Sequence, residues 1–265
     1  MHIPAPERLI TLTTDFGTRD GYAGAMKGVI RQIAPAATVE DITHGIPAGD
    51  IRAGAWALRT ATPFYPRGSV HVVVVDPGVG TARHALVAHI DGRFYIGPDN
   101  GVFSWLLAEA DEVHAWRLAD HSWRPDQPSN TFHGRDLFAH AAALMVQEGE
   151  LNAVCGEVVS PRVDAWATCI QAPGAGEVVH VDRFGNVVTN LLLPEEVPQS
   201  DWRVSFADGQ TLTGLQRTYG EVASGACLAL VGSHRFLEIA VRLGSASEEM
   251  NLHPGDQIRV AQIGS

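Results

Sequence analysis

A chain of 265 residues with 45% hydrophobic and 18% charged side chains has the length for one large or two modest domains and the apolar content for a real core. Its formal charge of -11 argues against nucleic acid, whose phosphates call for basic surface, and no apolar run approaches the roughly 18 residues of a membrane span. The start M-H-I-P-A-P-E-R lacks the pattern of a signal peptide, and Cys155, Cys169 and Cys227 form no C-x-x-C pair, so a cytoplasmic protein with reduced thiols is expected.

Residues 8–14 read R-L-I-T-L-T-T, a β-branched first strand that ends in Asp15. Phe16 to Asp20 supplies a turn, and 21–33 carries apolar residues at helical spacing (Ala25, Met26, Val29, Ile30, Ile33) until Pro35 stops it. A short strand over 38–42 and a helix over 53–60 follow. The valines Val72 to Val75 show no alternation with polar residues, which marks a strand buried on both faces, as in a parallel sheet covered by helices. Asp76 ends that run at the carboxyl edge, where open α/β sheets place their ligands, and Pro77, Gly78 and Gly80 force a tight turn before Arg83. A carboxylate at the mouth of an apolar strand needs a partner, and Arg83 is within reach. The pair is either a structural bridge bracing a loop or part of a site.

Asp91-Gly92 between 85–90 and 93–96 signals a hairpin, an antiparallel excursion from the parallel pattern. G-P-D-N-G at 97–101 is loop chemistry, functional or merely turning. A helix over 102–108, a strand over 112–118 and a polar, proline-bearing loop over 120–130 lead to T-F-H-G-R-D, which opens an apolar helix over 137–147. His133 in the first turn is placed either to cap and pack or to do chemistry. Q-A-P-G-A-G at 171–176 then reads as a linker. Beyond it come short strands over 177–181, 186–192, 203–206, 210–212, 227–231, 236–241 and 257–261, with a hairpin turn at Asp208-Gly209. The expected fold class is α/β: an N-terminal Rossmann-like sheet domain over 1–170 and a smaller C-terminal β domain, barrel-like or a sandwich, over 176–265, joined by a linker at 171–175.

The twelve histidines show no metal-ligand spacing, and there is no G-x-S-x-G elbow, Walker loop or G-x-G-x-x-G after the first strand. What remains is a set of polar residues at strand ends: Asp15, Asp76 with Arg83, His133, and Asp182 followed by R-F-G-N. Phe184 suits stacking on an aromatic base, and the Asn186 amide offers both a donor and an acceptor to its edge. A β-turn with a packed phenylalanine is the plain alternative.

Taken in order, T-T-D-F-G (13–17), D-P-G-V-G with Arg83, P-D-N-G, F-H-G-R-D, F-G-N-x-x-T-N (184–190) and G-S-H-x-F-L-E-I-A (232–240) closely resemble the S-adenosylmethionine hydroxide adenosyltransferases, relatives of fluorinase and chlorinase. The resemblance covers nearly the whole chain. It implies hydrolysis of S-adenosylmethionine to adenosine and methionine, with no metal, no cofactor beyond the substrate, and a homotrimer whose active sites lie at subunit interfaces. It further implies a catalytic triad of Asp76, Arg83 and His133, ribose binding by Asp15, and a methionine-end carboxylate at Asp182. Adenine recognition falls on Phe184 and Asn186, another substrate contact on Ser233, approach to the amino-acid end on Asp20 and Tyr22, and a backbone contact to adenine on Val241. Halogenating relatives carry Tyr and Ser where this chain has His133 and Gly134, and lack the acid of D-P-G-V-G, so hydroxide is the expected nucleophile. They also stack a Trp on the ribose near the equivalent of Ala48 and Gly49, where no aromatic residue stands here. The competing readings are a chlorinase-like transfer to halide and a non-catalytic protein that binds adenosine or S-adenosylmethionine.

Overall fold

The computed structural model describes residues 3–119, 128–194 and 198–263, and the chain divides into two compact units, Met1–Asp164 and Ala165–Ser265. In the first unit the strands β1 (Leu9–Thr14), β2 (Thr38–Thr43), β3 (Val70–Val74), β4 (Ala85–Ile90), β5 (Arg93–Pro98), β6 (Val113–Leu118) and β7 (Cys155–Val158) make one mixed sheet in the order β2-β1-β3-β5-β4-β6-β7. β1, β2, β3 and β5 run parallel, and β4, β6 and β7 are antiparallel to their neighbours.

β3 is buried throughout because it serves two cores. Val70, Val72 and Val74 pack with Met26 and Ile30 of α1 (Tyr22–Ile33) and with Ala141 and Met145 of a later helix, while Val73 and Val75 pack with Leu58 of α2 (Ile51–Ala61) and with Phe103 beside α3 (Ser104–Glu109). Covering both faces removes any reason for a polar alternation. The chain leaves β1 through α1 on one face to reach β2, then returns through α2 on the other face to β3 on the opposite side of β1. The carboxyl ends of β1 and β3 therefore flank a topological switch point, the place where such sheets open a crevice.

The Asp91-Gly92 hairpin is present, with φ of 46° and 83°, the left-handed pair a two-residue turn of this kind uses. The apolar helix expected over 137–147 opens earlier, as a wide π-type segment, Gly134–Ala139, that continues into α4 (His140–Glu148). Most of the polar loop expected over 120–130 lies outside the described residues. β7 has no counterpart among the expected strands, since its exposed edge position leaves no apolar pattern. Among the described residues, no helix is long and apolar enough to cross a membrane.

The second unit is one sheet of eight strands: β8 (Ile170–Gln171), β9 (Gly174–Val181), β10 (Val187–Leu192), β11 (Trp202–Ser205), β12 (Thr211–Thr213), β13 (Cys227–Val231), β14 (Phe236–Val241) and β15 (Gln257–Gln262). Their order is β12-β11-β15-β9-β10-β14-β13, with β8 on β10. A bridge from Gln216, just beyond β12, to Leu230 of β13 brings the two ends of the path together, giving a nearly closed barrel rather than a sandwich. Trp202, Val204, Val178, Val187, Leu191, Ile239 and Ile258 fill its core. The segment 171–175, expected as a linker, belongs to this sheet: Gln171 pairs with Leu192, and Gly174 to Gly176 pair with β15. Glycine there marks a close approach of neighbouring side chains to the backbone: a Cβ at Gly176 would lie 2.6 Å from Leu191 Cγ.

Candidate active site

At the switch point, Asp76 follows the buried β3 run and its side chain is only 3% exposed. Arg83 meets it with both prongs, Nε donating to Oδ1 at 3.0 Å and Nη2 to Oδ2. Such bidentate pairing is how a guanidinium compensates a desolvated carboxylate. The same Nη2 lies 2.8 Å from His133 Nδ1, and the Arg83 guanidinium carbon sits 5.4 Å above the Phe138 ring. Arg83 thus joins residues from two distant stretches of chain. No side-chain cap is made by His133, so its bond to Arg83 replaces the capping role open to a first-turn histidine.

A guanidinium has donors only, so His133 Nδ1 is the acceptor, and the neutral ring carries its hydrogen on Nε2.

The loop from Asp76 to Arg83 is held at both ends by P-D-N-G. Asn100 Nδ2 donates to the Val75 carbonyl at 2.8 Å, and the Asp99 amide donates to the His84 carbonyl at 2.9 Å. The motif is therefore a clamp on the residues flanking the Asp76 and Arg83 pair.

Asp15 stands at the end of β1, adjacent to β3, and its Oδ2 accepts the Gly49 amide at 2.8 Å. The 48–49 loop, which lacks the aromatic residue of halogenating relatives, thus lies against the expected ribose carboxylate. An aromatic cluster forms nearby instead: Phe16, Tyr22 and Phe132, with centroid separations of 5.2 to 5.9 Å. Tyr22 is half exposed in it, and Asp20 is exposed on the preceding turn. Gly134 is buried against this cluster, where a Cβ would meet Phe16 Cζ and Met26 Sδ, each at 3.3 Å. Arg135 pairs with Asp136, and this pairing holds the Asp136 carboxyl below its ordinary range.

Sequence reasoning missed a chain of contacts behind Asp15. Lys27 Nζ donates to Asp41 Oδ2 at 2.6 Å, Asp41 Oδ1 lies 3.1 Å from His44 Nε2, and His44 Nδ1 is 2.8 Å from Thr14 Oγ1. Its members share no local motif. Burial pushes the Cys155 thiol up to about 12, in keeping with an inert side chain.

In the second unit, Asp182, Phe184, Asn186 and Val241 line one open cleft of about 610 Å³, together with Tyr219 and Leu243. Asp182 chiefly holds its own turn: Oδ1 accepts the Phe184 and Asn186 amides at 2.8 and 2.9 Å, and Oδ2 accepts Asn186 Nδ2 at 2.9 Å. That leaves about one of a carboxylate's four acceptor sites for anything else. The turn lifts Phe184 to 74% exposure while Asn186 stays buried, its Oδ1 and second amide hydrogen not used by Asp182. Ser233 is exposed in the turn before β14 and is not among the residues that line the cleft. Tyr219, a partly exposed residue on a surface turn, is the wall that sequence reasoning missed. It sits in an aperiodic stretch with no motif around it.

Residues 10–155 match the SAM hydroxide adenosyltransferase N-terminal domain and residues 176–259 the C-terminal domain. The (R)-S-adenosyl-L-methionine hydrolase of Thermus thermophilus is 38% identical over 264 residues, covering 96% of this chain and 99% of that protein. A crystal structure of an uncharacterized conserved protein from Thermotoga maritima superposes with a TM-score of 0.87 at 33% identity, over 96% of this chain and 99% of that one. The fluorinase of Nocardia brasiliensis is more distant, at 23% identity over 95% of this chain and 96% of its own. With both domains matched in order, and relatives above 30% identity along nearly its full length, the chain belongs to the SAM hydroxide adenosyltransferase family.

Proposed function

We propose that the protein hydrolyses S-adenosylmethionine to adenosine and methionine by attack of water on C5′. The observation that carries this reading is Arg83 bridging Asp76 and His133 at the switch point of a family whose hydrolase members are similar to this chain over nearly its full length.

The sulfonium departs as a neutral thioether, so the reaction needs no general acid. It needs an oxygen nucleophile in line with the C5′–S bond. Taking a full proton from bulk water (pKa near 15.7) onto an ordinary imidazole (near 6.5) would cost about 12.5 kcal/mol, so the proton must leave as the new bond forms. His133 Nδ1 is engaged by Arg83 and Nε2 already carries hydrogen, which makes His133 an orienting donor to the water oxygen. Asp76 retains lone pairs beyond those given to Arg83 and is the proton acceptor. Positive Arg83 stabilises the developing hydroxide.

The remaining assignments follow the same reading. Asp15 takes ribose hydroxyls with the acceptor sites left by Gly49, Phe184 and Asn186 take the adenine with the Val241 backbone, Asp182, Asp20 and Tyr22 serve the amino-acid end, and Ser233 makes a further substrate contact. The working assembly is a homotrimer in the cytoplasm, each subunit completing a neighbour's site, and no metal or further cofactor takes part.

Chloride is disfavoured as nucleophile. The Asp76 carboxylate repels an anion, and Gly134 has no room for the serine of halogenating relatives unless Phe16 and Met26 shift by a few tenths of an ångström. The relative's name adds a stereochemical point: L already specifies the α-carbon, so R refers to the sulfonium. Incubation with each sulfonium epimer in ¹⁸O water and molar chloride tests the reading. Adenosine labelled in its 5′-hydroxyl, formed with preference for the R epimer, is expected. Main product 5′-chloro-5′-deoxyadenosine, or binding without turnover, overturns it.

A further inference from the structure

Behind the cleft wall of the second unit lies a buried acid that neither the motifs nor the family reading assigns. Glu238 is in the middle of β14, paired on one side with Val188 and on the other with Leu230, and is 7% exposed. A glutamate in that position is costly without a partner. Its partner is Tyr219, whose hydroxyl donates to Oε1 at 2.5 Å. Room for the carboxylate comes from Gly232, where a Cβ would lie 2.5 Å from Oε2. A side chain is thus missing on the turn where the acid needs space, and a phenol reaches in from a loop to meet it.

We propose that Glu238 is a positioning residue for the nucleoside cleft, acting through Tyr219: it fixes the Tyr219 ring as the wall against which a planar base is held.

Tyr219 opens the short 3-10 turn Tyr219–Glu221, outside any strand, and its ring lines the same cleft as Phe184 and Asn186. Without the bond the ring would sample several rotamers and a ligand would have to immobilise it on binding. Burial raises the pKa of the Tyr219 phenol, and the bond to Glu238 raises it further, so the proton stays on the phenol and the donor remains a donor. Leu228, Leu230 and Ala240 form a small apolar cluster of their own, so an uncharged side chain at 238 would suit burial at least as well. The carboxylate at 238 is therefore better explained by what it holds than by packing.

This inference rests on the nucleoside reading of the cleft, and adenosine titration of the full chain by calorimetry separates the two. Tyr219→Phe keeps the ring and removes the bond. Glu238→Leu removes the acceptor, and Glu238→Gln keeps an acceptor oxygen in the same place. Tyr219→Phe and Glu238→Leu should each weaken adenosine roughly 2- to 10-fold, the double variant no more than either alone, and Glu238→Gln should stay within about 2-fold of wild type. With S-adenosylmethionine the loss should fall on KM more than on kcat. Should Glu238→Leu fail to fold, Tyr219→Phe against Glu238→Gln still decides. Unchanged affinity in Tyr219→Phe, or additive losses in the double variant, would overturn the positioning role while leaving the nucleoside cleft intact. Wild-type protein that binds no adenosine would remove the cleft reading, and this inference with it.

Discussion

The two units solve the problem of placing polar groups in opposite ways. In the first, Asp76 and Arg83 are nearly buried, paired through two bonds, clamped at both ends of their loop by Asp99 and Asn100, and fed by a strand packed on both faces. In the second, the chemistry sits on turns: Phe184 is largely exposed, Asp182 is engaged mostly in shaping the turn, and one wall is a loop tyrosine. The first arrangement suits a step that must be aligned before reaction, because each group is over-determined. The second suits capture of a flat ligand, where contact area matters more than angle. Mutations in the Asp76, Arg83 and His133 cluster of the first unit should therefore affect rate, and those in the cleft of the second affinity.

The largest effect is expected at Asp76. Asp76→Asn keeps the shape and removes the proton acceptor, so kcat should fall roughly 10² to 10⁴-fold with adenosine affinity within several-fold of wild type. Single-turnover kinetics beside adenosine titration checks it, and an equal loss in both would erase the distinction between units. Next comes Phe184→Ala. Base stacking on an aromatic is worth about 1 to 3 kcal/mol, or roughly 5- to 150-fold in affinity, and kcat at saturation should change far less.

Acidity separates the units by sign. Burial lowers the pKa of His71, held between Thr11 and the rings of Tyr65 and Tyr95, to about 3. The unfolded chain binds that proton from about pH 6.5, so stability contributed here falls as pH drops from about 6.5 toward 3, by at most about 1.4 kcal/mol per unit. Glu238 is opposite: burial raises its pKa, so its contribution is present below the ordinary carboxylate range and is lost as pH rises through the raised value. Urea midpoints at pH 7 and 4.5 should show His71→Gln losing less stability on acidification than wild type, and an unchanged slope would contradict the buried neutral imidazole.

How much of this was legible follows the same division. Asp76 could be placed from the residues because a strand buried on both faces writes an unbroken apolar run, and Asp15 because it ends a β-branched strand in the same way; whatever ends such a strand stands at the carboxyl edge. The Asp91-Gly92 hairpin was equally plain, its backbone needing two left-handed residues. Gln171 to Gly176 misled because small residues and proline are shared by linkers and by strands packed closely under neighbouring side chains, as Gly176 is against Leu191. The wide turn after His133 and the Tyr219 wall left no periodic trace. Both are set by long-range contacts, Arg83 across 50 positions and Glu238 across 19, that no local pattern encodes.

The smallest expected effect is the most discriminating. Asn100 touches no expected substrate position, yet its side chain donates to the Val75 carbonyl and accepts the Val102 amide at 3.2 Å, tying the residue before Asp76 to the next loop. Asn100→Ala removes both bonds. A net loss near 0.5 to 1.5 kcal/mol per bond would soften the Asp76 edge without unfolding a sheet of this size, and a slackened edge misaligns the attacking water. We therefore expect roughly 3- to 10-fold lower kcat, unchanged adenosine affinity, and no rescue by Asn100→Asp, which keeps the acceptor for Val102 but sets a carboxylate oxygen against the Val75 carbonyl. Stopped-assay kinetics with calorimetry reads both quantities on one preparation. If Asn100→Ala lowered affinity and left kcat intact, the clamp would belong to ligand capture, and the division of labour between the two units would have to be redrawn.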